Sequence, residues 1–196
     1  MIEYLKGELT ELTPTNCVVE CGGVGYFLNI SLIFYDYLQS ISQGETVKIY
    51  LHEIIREDAH DLYGFKDKSE REAFRMLIGV SGVGPNTARL ILSSLTSQQL
   101  QEAISMGNEI PLKAVKGIGG KTAQRIIVDL KDKIKGAVTS LNLSAPVGGA
   151  AFNDAAAALV MLGFSMAQSQ KALTKVFSQD PNLNTEKAIK LALKLL

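Results

Sequence analysis

Long apolar runs are missing from this 196-residue chain. None approaches the ~20 residues a bilayer crossing needs, so no membrane segment is expected. The start, Met1-Ile2-Glu3-Tyr4, carries an early acid and lacks the basic-then-apolar pattern of an export signal, which points to the cytoplasm. Cysteine is scarce. Cys17 and Cys21 sit four apart in an alternating run, which puts both on one face of a strand. They read as buried thiols rather than metal or redox groups. Histidine is equally scarce, and His52 and His60 are too few to complete a metal site with them. No cofactor and no metal are expected.

Net charge is also absent, with 20 basic residues against 20 acidic ones, but the balance hides a segregation. Residues 1–63 hold three bases and ten acids, a net of −7. Residues 64–140 hold twelve bases and seven acids, a net of +5, and residues 141–196 are at +2. A basic module beside an acidic one suits a polyanion partner for the middle segment, though solvated faces on ordinary domains give the same pattern. Apolar residues make up 46% of the chain, enough for folded modules with modest cores.

The first segment reads as strands. Tyr4–Leu9, Cys17–Cys21, Tyr26–Ile30 and Val47–Leu51 are short and β-rich, with turn signals at Thr13–Asn16 and Gly22–Gly25. Such spacing predicts a small barrel. Ser31–Ser40 is a short helix or an irregular crossing. From Ser69 the period becomes helical: Ala73, Leu77 and Ile78 share one face, and Ala88, Ile91, Leu92 and Leu95 another. Ser97 is the expected cap of a helix ending near Gly107, and a further helix is expected from Thr122 to about Lys135. Gly136–Gly149 has the composition of a flexible linker. The tail reads as three short helices, the first capped by Asn153 and ending at Gly163, the second capped by Ser165, the third by Asn184 or Thr185.

An internal repeat carries most of the functional content. Shifted by 35 residues, the middle segment overlays on itself: Leu77 on Leu112, Val80 on Val115, Gly82 on Gly117, Val83 on Ile118, Gly84 on Gly119, Thr87 on Thr122, Ala88 on Ala123 and Ile91 on Ile126. Such self-similarity marks a duplicated unit of helix, Gly-Val/Ile-Gly bend and helix. Glycines allow positive φ and a close approach of another backbone. A buried Val83 or Ile118 would anchor each bend while the amides point outward, joined by the unpaired N–H groups and positive dipole end of the next helix. That is an anion site made of backbone and suited to phosphate. Pro85 fits the first helical turn of copy one. Lys116 and Lys121 add cations to copy two. Two such sites would grip the two backbones of a duplex, giving position and affinity with little sequence information. Gly119-Gly120-Lys121-Thr122 also resembles the end of a Walker phosphate loop. The full pattern needs a glycine where Val115 stands and a strand before it, so ATP binding is not expected.

Taken together, these motifs resemble the RuvA family, the junction-recognition subunits of bacterial Holliday-junction branch-migration complexes. Ser81-Gly82-Val83-Gly84-Pro85 and Gly117-Ile118-Gly119-Gly120-Lys121-Thr122-Ala123 resemble its paired helix-hairpin-helix motifs. Arg56-Glu57-Asp58-Ala59 followed by Leu62-Tyr63-Gly64-Phe65 resembles the end of its barrel, and Leu162-Gly163-Phe164 its C-terminal domain. The resemblance implies a multidomain α+β chain: an OB-type β-barrel over 1–63, a tandem helix-hairpin-helix domain over 64–140, a flexible linker over 141–150 and a three-helix UBA-like domain over 151–196. It implies non-catalytic recognition of four-way junctions in recombination and repair, by a homotetramer acting alone or as two tetramers face to face. It further implies a hexameric ATPase partner, RuvB, contacted through Leu162, Gly163 and Phe164, and a junction resolvase of the RuvC type. By the same resemblance Glu57 and Asp58 form an acidic pin at the crossover, although two adjacent acids alone read as a solvated turn. Asn86 and Gly120 stand where the family often has lysine, so backbone amides carry more of the contact here. Arg125 is a candidate backbone contact with a helix-surface role equally open, and Arg89 is a weaker one.

Two other classes of function compete with this reading. Helix-hairpin-helix elements also occur in glycosylases, nucleases and ligases, but no catalytic constellation is evident beyond the hairpins. Alternatively the bends are mere turns and the tail is the working surface of an interaction protein.

Overall fold

The computed structural model describes residues 1–42, 44–141 and 149–196, apart from the side chains of 132–141. Alternation of inward and outward side chains sets the first part. Strands β1 (Tyr4–Thr13), β2 (Asn16–Cys21), β3 (Val24–Asn29), β4 (Thr46–Ile55) and β5 (His60–Phe65) close a barrel in the order β1-β2-β3-β5-β4. All ladders are antiparallel except β3–β5, which closes the barrel through the parallel pair Asn29↔Tyr63. A register shift between Leu9 and Glu11 bends β1, the usual way a strand curves round a small barrel. Leu9, Cys17, Val19, Leu28, Ile49 and Leu51 fill the interior. Helix α1 (Leu32–Leu38) packs Phe34 and Leu38 against them. Burial pushes the Cys17 thiol up to about 12, so it is an apolar filler rather than a nucleophile. Cys21 is half-buried, and both cysteines are free thiols.

Strand β5 is absent from the sequence reading and runs to Phe65, across position 63. Tyr63, Gly64 and Phe65 are all buried, because one face meets the barrel and the other meets helix α2 (Lys68–Ile78). Phe74 of α2 lies 4.9 Å from Tyr63 and 5.0 Å from Phe65, ring to ring. Helices α3 (Pro85–Ser94), α4 (Ser97–Met106), α5 (Ile110–Lys113) and α6 (Gly120–Leu141) follow. Asp67 caps α2 by accepting from the Glu70 amide. The cap of α4 is Thr96, one residue before the expected Ser97. Its hydroxyl accepts from Gln99 N–H while the Gln99 side chain returns to the Thr96 amide, so the reciprocal box fixes the start.

Two charged side chains sit where barrel and helices meet. Glu70 accepts from the Ser31 hydroxyl at 2.8 Å and the Lys66 amide at 3.0 Å. Ser31 in turn caps α1 by accepting from the Phe34 amide. Arg71 donates to the Glu3 carbonyl and carboxylate and pairs with that carboxylate at 2.8 Å. These contacts offset part of the cost of burying the two charges, although among the described residues the Arg71 Nε has no hydrogen-bond partner.

A second compact unit spans Gly136–Leu196. Helices α7 (Gly149–Met161), α8 (Met166–Gln179) and α9 (Thr185–Ala192) bury Phe152, Leu159, Leu173 and Phe177 among small alanines. Ser165 and Asn184 cap α8 and α9. Asn153 does not cap α7: it lies inside that helix, which begins at Gly149 because the alanines beside it are strong helix formers. The expected linker is also partly corrected. Helix α6 continues through 136–141, since extending a helix is easier than starting one, and 142–148 lie outside the described residues.

Burial pushes the Glu70 carboxyl above the usual carboxylate range, despite its two donors. The folded state therefore binds this proton more readily than the unfolded chain, and ionised Glu70 reduces stability at neutral pH. Wild type is expected to gain stability relative to Glu70→Gln as pH falls from neutral toward 4.5, measured by urea unfolding at several pH values. Glu70→Ala, which leaves Ser31 and Lys66 without their acceptor, should lose about 1–3 kcal/mol at pH 7.

Candidate nucleic-acid interface

The two bends of the repeat have the same hydrogen-bonding skeleton. In copy one, Val80 N–H donates to Leu77 O at 3.0 Å, Val83 N–H to Val80 O at 3.0 Å and Ala88 N–H to Gly84 O at 2.9 Å. In copy two, Val115 N–H donates to Leu112 O at 3.2 Å, Ile118 N–H to Val115 O at 3.0 Å and Ala123 N–H to Gly119 O at 3.0 Å. Gly82 and Gly117 take the third position of each turn with φ of +87° and +89°, where a Cβ would be strained. Val83 and Ile118 are buried in one shared core with Leu77, Leu112, Ala88 and Ala123. Equivalent residues are thus buried in both copies.

Outside that anchor the bends are bare. Ser81, Gly82, Gly84 and Asn86 are exposed, as are Lys116, Gly117, Gly119, Gly120 and Lys121, while Pro85 and Thr122 are half-buried. Among the described residues no side chain or loop carbonyl accepts from the amides of Gly82, Gly84, Asn86 or Thr87, nor from those of Gly117, Gly119, Gly120, Lys121 or Thr122. These include the opening donors of α3 and α6, which a helix cannot satisfy internally. Gly84 and Gly119 are more telling still. Neither has a positive φ, and a Cβ at either would meet nothing within 4 Å. Among the described residues nothing requires glycine there; a ligand approaching the main chain would.

The cations divide unevenly. Lys116 and Lys121 belong to copy two, and neither has an acidic partner within 4.0 Å among the described residues; Lys113 is held by Glu109 at 2.6 Å. Copy one has the neutral Asn86 after its bend. Its cation comes instead from the second copy: Arg125 on α6 donates to the Ser81 carbonyl at 3.2 Å, beside Gly82. This link across 44 residues ties the two bends together, and nothing in the local sequence signals it. Arg89, by contrast, donates to the Thr15 carbonyl at 2.9 Å and braces α3 against the barrel. The Walker-like Gly119–Thr122 run follows α5 and no strand, as its sequence context implied.

Glu57 and Asp58 form the exposed tip of the β4–β5 hairpin, closed by Arg56 N–H donating to Ala59 O at 2.8 Å. Below the tip, Glu53 pairs with His60 at 3.2 Å across the stem. In the second unit Leu162 is 61% exposed beside Met161 at 89%. Gly163 turns the chain, and Phe164 packs inward on the helical core.

Matches to known families follow the same three segments. Residues 1–64 match the RuvA N-terminal domain, 74–132 the SAM-like helix-hairpin-helix tandem, and 150–196 the RuvA C-terminal domain. The chain belongs to the RuvA family. It is 54% identical to the Holliday junction branch migration complex subunit RuvA of Parabacteroides distasonis and 52% identical to that of Bacteroides fragilis. Its identity to the same subunit of Christiangramia forsetii is 45%. In each case both chains are covered completely. The RuvA architecture of barrel, hairpin tandem and small helical domain is the one described above.

Gly117→Ala is expected to cost about 1–2 kcal/mol through its left-handed φ alone, since a Cβ there overlaps nothing. The unfolding midpoint in urea measures it.

Proposed function

We propose that this chain recognises four-way DNA junctions in recombination and repair, holds them open, and presents them to a motor, without catalysing a reaction itself. One observation carries this reading: two bends with matched hydrogen bonds, each with free amides and an exposed glycine that leaves room for an outside partner at the main chain. Each cradle takes a phosphate, and the pair takes the two backbones of one arm. Ser81–Asn86 and Lys116–Thr122 are the contact segments, with Arg125 serving the first. Such contacts read backbone position rather than base sequence.

A junction has four arms, so four copies around a fourfold axis would seat one arm each, either as one tetramer or as two face to face. In that assembly the Glu57–Asp58 tips gather at the crossover. Eight carboxylates there repel phosphates and steer separated strands toward the basic segments. The relatives are named as subunits of a branch migration complex, and we carry that role to this chain. A hexameric ATPase of the RuvB type supplies the motion, docking at Leu162 beside the Gly163–Phe164 turn. A resolvase of the RuvC type is a further partner on the same junction. The working compartment is the cytoplasm; among the described residues no helix is long and apolar enough to cross a membrane.

Serine is as good a helix cap as glycine or better, so Gly84→Ser with Gly119→Ser should leave the unfolding midpoint unchanged or raised. The added Cβ atoms should nonetheless weaken junction binding at least tenfold, about 1.4 kcal/mol. Fluorescence anisotropy with a labelled junction measures this. Wild type should prefer the junction over linear duplex of equal length by a similar factor, and equal affinity for both would remove the junction reading. Glu57→Gln with Asp58→Asn is expected to keep junction binding while changing the rate of motor-driven branch migration. An unchanged rate and unchanged junction preference would count against the pin.

A further inference from the structure

The barrel segment is strongly acidic, and its few bases are not scattered. Lys6 on β1 and Lys48 on β4 are direct cross-strand partners, two pairs along from Tyr4 and Tyr50 and so on the same face. Like charges directly opposed across a ladder destabilise it. Both lysines are exposed, and Lys68, the first residue of α2, joins them. Lys48 Nζ stands 4.1 Å from the Tyr4 ring centre and 5.0 Å from that of Tyr50; Lys68 Nζ is 6.0 Å from Tyr50. Among the described residues none of these three ammonium groups has a carboxylate within 4.0 Å. The nearby Glu3 is taken by Arg71 at 2.8 Å, and Glu8, next outward on β1, marks the edge of the patch.

We infer that Lys6, Lys48 and Lys68, around the Tyr4–Tyr50 pair, form a second phosphodiester-binding surface, separate from the hairpins. The inference rests on the DNA-binding reading above. A phosphate between Lys6 and Lys48 would neutralise their repulsion, and the tyrosine faces hold the Lys48 ammonium extended over the strand. Helix α2 is a rigid spacer between this patch and the first bend. From Lys68 to Ile78 the helix rises roughly 15 Å at 1.5 Å per residue, close to half a turn of B-form DNA. A polymeric anion held at the bend can therefore reach the patch, which a single small anion could not do.

The test uses the full chain with Lys6→Gln and Lys48→Gln together, titrated against labelled junction, linear duplex and oligothymidylate at several salt concentrations. Junction affinity is expected to fall about three- to tenfold, and the salt slope to become shallower by ~1–2, one for each phosphate no longer neutralised. Lys6→Arg with Lys48→Arg should restore both. The unfolding midpoint should hold or rise, since a repulsion is removed. A loss on duplex assigns the patch to the arms and a loss on oligothymidylate alone assigns it to separated strands; either supports the site. Unchanged affinity and slope would overturn it, as would an unchanged slope with altered mass by light scattering, which makes the patch an interface between copies. If Gly84→Ser with Gly119→Ser abolishes binding and the lysine variant does not, only this inference falls. If neither variant changes binding, the cradle assignment falls with it and the DNA is held elsewhere.

Discussion

Two branched side chains, Val83 and Ile118, hold the two bends in place. Each is buried in the shared helical core and donates its amide back across a four-residue turn. Burying such a side chain is worth about 1.5–3 kcal/mol, so the bend between the helices is pinned from below. With the apolar side chain turned inward, the neighbouring main chain is turned outward. Its amides are therefore oriented before any anion arrives. A phosphate that binds there orders little, and preorganised donors lose less free energy on binding than mobile ones.

The same core explains why barrel and hairpins form one unit. Phe74 packs between Tyr63 and Phe65 on one side and the repeat residues on the other. Glu70 and Arg71, adjacent on α2, reach Ser31 and Glu3 of the barrel. Arg89 adds a third tie at Thr15. With the two modules joined at several points, the acidic hairpin tip and the amide cradles belong to one rigid frame. A platform for a branched polymer needs that property more than it needs any single strong contact.

Much of this was legible in the chain because the decisive features are local. The repeat is visible since the residues that match at a 35-residue shift are the ones that are buried or bend the chain. Helix caps at Ser165 and Asn184 are visible for the same reason. What escaped depends on distant neighbours. Strand β5 has no alternation to read, because Tyr63, Gly64 and Phe65 are covered on both faces. Lys68-Ser69-Glu70-Arg71-Glu72 looks like a solvated helix start, yet Glu70 and Arg71 are buried by partners 39 and 68 positions away. Arg125 was legible as a candidate backbone contact or a helix-surface cation, but not as a neighbour of the first bend; that place follows from packing α6 across copy one.

That placement of Arg125 bears on how the two bends of this chain share their cations. Copy one has the neutral Asn86 after its bend, and its own residues alone would suggest a weaker hold on phosphate there than in copy two. The bend instead receives a guanidinium from the other copy. Arginine suits the task, since its planar fork can bond the Ser81 carbonyl through one nitrogen and leave others for an anion. The backbone amides do not depend on side-chain identity at all. An anion site built on main-chain donors would keep its geometry whatever the neighbouring side chains, with cations supplied from wherever the fold allows. The glycines are the positions with least freedom: Gly82 and Gly117 because the turn requires their φ, Gly84 and Gly119 because a ligand would need the space.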